Sequence, residues 1–328
     1  MSIRKKILSN EFTVPEYLKI SHFPSLDGIR AISVFIVLIA HGNAEFNVGF
    51  FNSTLAGGVL GVYIFFVISG FLITTLLLKE KVKTGTISLR NFYIRRGLRI
   101  LPVAYLYLFT LFIMHIFFGL KVAPIEFAGC LLFLGYFHTG VYTGHFWSLS
   151  VEEQFYIVFP SILKRNYRLY INFLLTLLVL ILMVKAIDVN SLHMSHHIVT
   201  IFSIFKELIY RPDGIIIGSL LAICMFKGIF PMDFVTKYKV LLHIVCIPLI
   251  VVFFNDLLFH SIFNSLITAV LIAVLLASNL KPSTDPIFKF LNIRILKRIG
   301  VLSYSTYIWQ QLILFRFNNI FGDSRYTY

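Results

Sequence analysis

Residues 57–78 read GGVLGVYIFFVISGFLITTLLL, an apolar run without a single charge. A bilayer span needs roughly 20 consecutive apolar residues, so this stretch predicts a membrane-crossing helix. The rest of the chain repeats the pattern. Of its 328 residues 58% are hydrophobic and 13% charged, 35 are Phe, and the mean hydropathy is +0.85. A soluble domain carries about 25% charged residues, and one of this length could not bury so much apolar surface. The sequence therefore predicts an all-α, polytopic helical membrane protein. Apolar runs lie near 31–44, 57–78, 100–118, 125–137, 147–162, 169–187, 199–226 (broken at Arg211–Gly214), 240–254, 261–278 and 299–318.

The formal net charge is +14. In a soluble chain this would point to nucleic acid. Here basic loops are expected to hold the cytoplasmic side of a membrane protein, and the lipid bilayer, not nucleic acid, is the expected partner. Cys130, Cys224 and Cys246 sit in apolar runs without metal-ligand spacing. His193, His196 and His197 form HMSHH without supporting carboxylates, so no metal is expected. The N-terminus is polar, so the first span is expected to serve as the targeting signal, with no cleavable leader. The expected organisation is a cytoplasmic segment over 1–24, one transmembrane domain over 25–318 and a short tail over 319–328, with no appended soluble domain.

Charge also orders the spans. The 79–99 stretch carries Lys79, Lys81, Lys83, Arg90, Arg95, Arg96 and Arg99 against Glu80, and the 42–56 stretch carries only Glu45. The former is expected inside with the N-terminus, the latter outside. If all of the about ten segments crossed, Lys164–Arg168, Lys227–Lys239 and Lys281–Arg298 would fall outside and violate the positive-inside rule. All three move inside if 125–162 crosses only once. That stretch is polar and glycine-containing between His138 and His145. A re-entrant or interrupted segment is therefore expected there, since non-helical backbone at membrane depth is tolerated where protein covers it or a wet cavity adjoins it. The outcome is roughly nine net crossings, with the N-terminus cytoplasmic.

Ionisable residues at membrane depth are costly, and each is a functional candidate. In SLDGIRAISVFIVLIAHGN (25–43), Arg30 and His41 are eleven positions apart, which on an α-helix is about 20° beyond three turns and about 16 Å of rise. Each alone reads as an interfacial anchor. Together on one face they suggest a channel with an anion site at the mouth and a base within. Gly57, Gly58, Gly61, Ser69 and Gly70 read as small residues for close helix approach. In NFYIRRGLRILP (91–102), Arg95, Arg96 and Arg99 read either as cytoplasmic anchors or as a phosphate clamp. In HFWSLSVEEQFYIVFP (145–160), Ser148, Glu152 and Tyr156 fall on one helical stripe beside Trp147, with Glu153 adjoining. In YRPDGIIIGSLLA (210–222), Arg211 and Asp213 read equally as an ion pair or as substrate contacts. In IGVLSYSTYIWQQL (299–312), Ser303, Tyr304 and Tyr307 form a polar stripe.

Taken together, LDGIRA with His41 beyond it, FFVISGFLIT, RRGLRILP, FWSLSVEEQFY, RPDGIIIGSLLA and SYSTYIW resemble the acyltransferase-3 family of bacterial integral membrane O-acyltransferases, from about Ser25 to Leu314. The resemblance implies transfer of an acyl group, most simply acetyl, from cytoplasmic acyl-CoA to a hydroxyl of a cell-surface or lipid-linked sugar, in the bacterial inner membrane. The sugars of such enzymes include O-antigens, exopolysaccharides and peptidoglycan. It implies no permanently bound cofactor, with acetyl-CoA as co-substrate. The family's arginine–histidine motif falls on Arg30 and His41, its basic motif on Arg96 and Arg99, and its tryptophan–serine–glutamate motif on Trp147, Ser148 and Glu152. The implied roles are His41 as general base with Glu152 and Arg30 beside it, and Arg30, Arg96 and Arg99 holding the donor. Trp147, Ser148, Glu152, Tyr156, Arg211, Asp213, Tyr304 and Tyr307 would then contact substrate. The sequence departs from the family in having Gln310 where a histidine often follows the tyrosines. No hydrolase-like domain follows the last span, so the membrane domain is expected to act alone or hand its acyl group to a partner. The competing reading of the same buried charges is a transporter or flippase for a lipid-linked sugar.

Overall fold

The computed structural model describes residues 6–7, 9–20, 22–46, 58–135, 140–190, 212–257 and 261–321. Among them there is no strand; every long element is helical. The helices are α1 (Pro24–Phe46), α2 (Val59–Thr84), α3 (Leu89–Phe118), α4 (Pro124–Leu131), α5 (Phe146–Arg165), α6 (Tyr167–Asn190), α7 (Asp213–Phe226), α8 (Met232–Lys237), α9 (Lys239–Phe254), α10 (Asn264–Ser278), α11 (Pro286–Leu291) and α12 (Arg294–Phe321). Four of them, over Pro24–Gly42, Val59–Thr84, Leu89–Phe118 and Tyr167–Ala186, are long and apolar enough to cross a membrane, and α7, α9 and α10 are shorter apolar helices.

Glycine sets how closely these helices approach. A Cβ on Gly300 would fall 1.9 Å from the Asp27 carbonyl oxygen, locking α12 onto α1. One on Gly70 would fall 1.9 Å from the Ile215 oxygen, and one on Gly218 2.1 Å from the Val67 oxygen, locking α2 onto α7. Without a hydrophobic drive between helices in lipid, such backbone contact supplies the dispersion energy that holds them together. Gly61, against the Ser33 oxygen at 2.4 Å, does the same between α1 and α2.

The 79–99 stretch differs from the loop expected there. Helix α2 continues to Thr84, Gly85 ends it at φ +76, and Ser88 caps α3 by accepting from the Asn91 amide at 3.4 Å. Long basic side chains need not end a helix where its apolar run ends, because their stems lie along it while their heads reach water. Arg96 and Arg99 therefore stand on the first turns of a continuous helix, upstream of Pro102.

The interruption expected within 125–162 is present. Helix α4 has eight residues, about 12 Å of rise, and turns separate it from α5. Protein groups satisfy the irregular backbone. Ser150 Oγ accepts from Gly135 N at 3.0 Å, Gln154 Nε2 donates to Phe133 O at 3.2 Å, and the Tyr107 hydroxyl donates to Tyr142 O at 2.7 Å. Thr143 donates to Glu126 Oε2 at 2.6 Å and accepts from Gly140 N at 2.8 Å.

Stretches assigned by charge to one side meet on one side. Lys79 Nζ donates to Ile20 O at 2.7 Å, and Lys227 Nζ donates to Ser9 O at 2.5 Å and Glu11 O at 2.7 Å. Lys227 also stands over the rings of Phe12 at 3.9 Å and Tyr167 at 4.7 Å, and Lys281 pairs with Asp233 at 2.8 Å. The N-terminal segment, the α2 end, the α5–α6 turn, the α7 end and the α10–α11 turn thus share one face of the bundle.

Candidate active site

Helices α1, α2, α3, α5 and α12 enclose a cavity of about 120 Å³. Arg30 reaches it from α1, Ser69 from α2, Arg96 and Arg99 from α3, Ser148, Glu152 and Tyr156 from α5, and Ser303, Tyr304 and Tyr307 from α12. The helical spacing of each pair does the local work. Arg96 and Arg99 are i, i+3, and Ser148, Glu152 and Tyr156 advance by four, so each set faces one way.

The three arginines are electrostatic neighbours of one another. Arg30 Nη1 bonds Asp27 Oδ1 at 3.3 Å, and Asp27 also meets His22 Nε2 at 2.9 Å. The Arg96 guanidinium lies 4.0 Å from the Tyr156 ring centroid, which fixes its plane, and its Nε is buried without a hydrogen-bond partner among the described residues. Such a cluster of guanidinium groups has the chemistry to take anionic oxygen, because a guanidinium fork matches phosphate geometry, while Glu152 and Glu153 act electrostatically on Arg96 from α5. Glu152 is oriented by Ser69, whose hydroxyl donates to Oε1 at 2.7 Å. Tyr304 donates to Ile100 O at 3.0 Å.

A second cavity of about 80 Å³ adjoins the first, and Val62 and Tyr307 line both. His41, Gly58, His145, Trp147 and Gln311 line the second. His41 Nδ1 meets Gln310 Oε1 at 2.9 Å. His145 Nδ1 is hydrogen-bonded to Gln311 Oε1, which also accepts from the His145 amide at 3.3 Å. Trp147 stands edge-to-face on Phe66 at 6.0 Å. Arg30 and His41 therefore line two adjoining chambers from one helix.

Asp213 lines neither chamber. Lys185 Nζ donates to Asp213 Oδ2 at 2.7 Å, with Ser265 bonded to both, and Tyr63 donates to Oδ1 at 2.7 Å. Asp213 is thus paired with Lys185, whereas the Arg211–Asp213 pairing read from the sequence involves a residue outside the described ones. Lys185 lies far away in sequence, so spacing could not name it. Arg211 and the histidines at 193, 196 and 197 lie outside the described residues. Among the described residues no group of three or more His, Cys, Asp or Glu could hold a metal.

Sequence reasoning missed three contributors. Ser69 read as a spacer and is the Glu152 partner. His145 and Gln311 had no role assigned, although His145 lies two residues before Trp147 and Gln311 follows Gln310. Their adjacency to motif residues was the available signal.

The chain is thus a helical membrane protein whose polar groups converge on two joined chambers. Residues 23–327 match the acyltransferase-3 model, described as an acyltransferase domain, and the chain belongs to that family. Among its relatives, the O-acetyltransferase OatA of Staphylococcus aureus (strain NCTC 8325 / PS 47) is 31% identical over 94% of this chain and 52% of its own length. A further protein of that species, strain COL, is 30% identical over 94% of this chain and 54% of its own length. The peptidoglycan O-acetyltransferase OatA of Listeria monocytogenes is 34% identical over 43% of this chain and 24% of its own length. The chain thus spans about half the length of the S. aureus relatives it matches. No solved structure matches it.

Proposed function

We propose that the chain O-acylates a hydroxyl of a cell-surface or lipid-linked sugar, with acetyl-CoA as the donor. The carrying observation is the joined pair of chambers, arginine-lined at one end and histidine-lined at the other. Acyl-CoA enters from the cytoplasm with its phosphates on Arg30, Arg96 and Arg99. Its pantetheine arm follows α1, along which Arg30 and His41 are separated by about 16 Å of helical rise. His41 takes the proton of the acceptor hydroxyl as general base. The hydroxyl oxygen attacks the thioester carbonyl, the carbon–sulfur bond breaks, and the coenzyme A thiolate leaves and is protonated. Glu152 orients the acceptor, and Trp147, Ser148, Tyr156, Tyr304 and Tyr307 form the wall against which donor and sugar lie. Asp213 braces α7 through Lys185 and takes no part in the chemistry.

In this reading the enzyme sits in the bacterial inner membrane with roughly nine crossings and a cytoplasmic N-terminus, an orientation that the positive-inside rule and the shared basic face support. Surface glycans are compared by mass spectrometry from cells with and without the protein and from cells carrying His41→Ala. The expected result is a mass gain of one acetyl group with the protein, absent with His41→Ala inserted at normal levels. A variant that still acetylates removes His41 from the chemistry. A glycan that changes location but not mass points to a carrier instead.

A further inference from the structure

Gln310 follows the Ser303–Tyr307 stripe on α12, and the geometry gives it work of its own. Its carboxamide oxygen lies 2.9 Å from His41 Nδ1. An amide oxygen only accepts, so Nδ1 carries a proton here, and in the neutral imidazole Nε2 then keeps the lone pair. The free nitrogen points to the second chamber, where the nearest ring atom to a Cβ built on Gly58 would be His41 Nε2 at 3.5 Å. Gly58 holds φ +81 at the start of α2 and has no side chain to fill that space.

Gln310 is 2% exposed, and its own amide nitrogen is buried without a hydrogen-bond partner among the described residues. An orphaned buried donor costs about 1–3 kcal/mol. A leucine at this place would avoid that cost, so packing alone does not account for a glutamine. The groups that face His41 from neighbouring elements are His145, from the turn before α5, and Tyr307, from α12. Among the described residues no charged side chain lines that chamber. The next residue repeats the device, since Gln311 Oε1 accepts from His145 Nδ1.

We propose that Gln310 is a positioning residue that holds His41 in the Nδ1-protonated tautomer and presents Nε2 as the proton acceptor. The inference rests on the acyl-transfer reading of the site and names what prepares its base. Second-shell hydrogen bonds of this kind fix both ring orientation and tautomer.

The test uses membranes holding the full chain and native glycan, with acetyl-CoA as probe and release of free thiol as readout. Gln310→Leu is expected to lower kcat by roughly 10–100-fold, the usual effect of losing a hydrogen bond that orients a working group, with the KM for acetyl-CoA unchanged. Gln310→Glu, whose carboxylate oxygen can accept the same hydrogen bond, is expected to restore most of the rate. Gln310→Met replaces the leucine variant if the latter fails to insert. Wild-type kcat in an inserted Gln310→Leu chain, a KM rising in step with the loss, or no rescue by an inserted Gln310→Glu chain overturns the proposal while the functional reading stands. If wild-type membranes release no thiol beyond membranes lacking the protein, the functional reading fails and the proposal falls with it.

Discussion

Ser148 Oγ and the Tyr307 hydroxyl lie 2.6 Å apart, where the arginine-lined chamber meets the histidine-lined one. Both also lie 3.1 Å from the His145 carbonyl oxygen. The contact ties α5 to α12 at the junction that a thioester would have to pass. Tyr307→Phe is expected to cost about 1 kcal/mol of stability, the usual worth of one hydrogen bond. Turnover of acetyl-CoA should fall more than that loss explains. A thermal unfolding curve in detergent beside a turnover assay separates the two effects.

Arg96 holds its plane against Tyr156 and offers an unpaired Nε. A lysine keeps the charge but loses both the stacking and the fork. Arg96→Lys is therefore expected to raise the KM for acetyl-CoA by about tenfold, equivalent to ~1.4 kcal/mol, with kcat changed much less. Arg30→Lys should act in the same direction. Steady-state kinetics with varied acetyl-CoA checks both, and an unchanged KM in the pair would remove the arginines from donor binding.

Ser69 donates to Glu152 Oε1 at 2.7 Å, and the Tyr156 side chain also hydrogen-bonds that carboxyl. Ser69→Ala is expected to lower turnover several-fold by leaving the carboxyl less fixed, a loss of about 0.5–1.5 kcal/mol, the usual net worth of one hydrogen bond. Ser69→Thr, which keeps the hydroxyl, should retain more activity. Equal turnover in all three chains would confine Ser69 to packing.

The α1–α12 contact depends on Gly300, where a Cβ would sit 1.9 Å from backbone oxygen that cannot swing away. Gly300→Ala is expected to destabilise the bundle by more than 3 kcal/mol, beyond the about 1–3 kcal/mol typical of overpacking. Gly97, whose nearest neighbour would be Leu101 Cδ1 at 3.6 Å, should accept alanine with a gain of up to about 1 kcal/mol in helix propensity. Monodisperse elution and thermal unfolding of the two variants give the comparison.

Outside the membrane-spanning helices, Asp285 caps α11 through the Phe288 amide at 2.8 Å and pairs with buried Lys239 at 2.8 Å. Partial burial pushes its carboxyl up. The hydrogen bonds from Lys239, Ser283 and Phe288 outweigh that and hold its pKa at about 2. A carboxylate with a lowered folded pKa stabilises the fold above its ordinary value of about 3.9, and that contribution is lost as pH falls toward 2. Limited proteolysis near 281–291 should therefore accelerate below about pH 4. In Asp285→Asn it should be fast at every pH.

Much of this molecule was legible in the chain. The run over 57–78 identified α2, and the eleven-residue spacing of Arg30 and His41 placed both on one face because an α-helix returns after 3.6 residues. Arg96 with Arg99, and Ser148 with Glu152 and Tyr156, were grouped by the same periodicity and do line one chamber. Charge bias also anticipated the broken passage before α5, because lysine and arginine are costly to leave on the wrong side of a bilayer. Asp213 was half legible: its burial in an apolar run announced a partner, but not Lys185.

What the sequence determined by itself, then, is everything governed by local rules: which segments are helical and apolar, which faces carry polar groups, and which loops share a side. Only the tertiary structure decided which of those faces meet. It brought α12 against α1 through Gly300, and so set Gln310 on His41 and Tyr307 beside Ser148 across more than 150 residues of chain. Partners so distant in sequence are chosen by backbone approach and side-chain shape, and neither of these leaves a periodic trace.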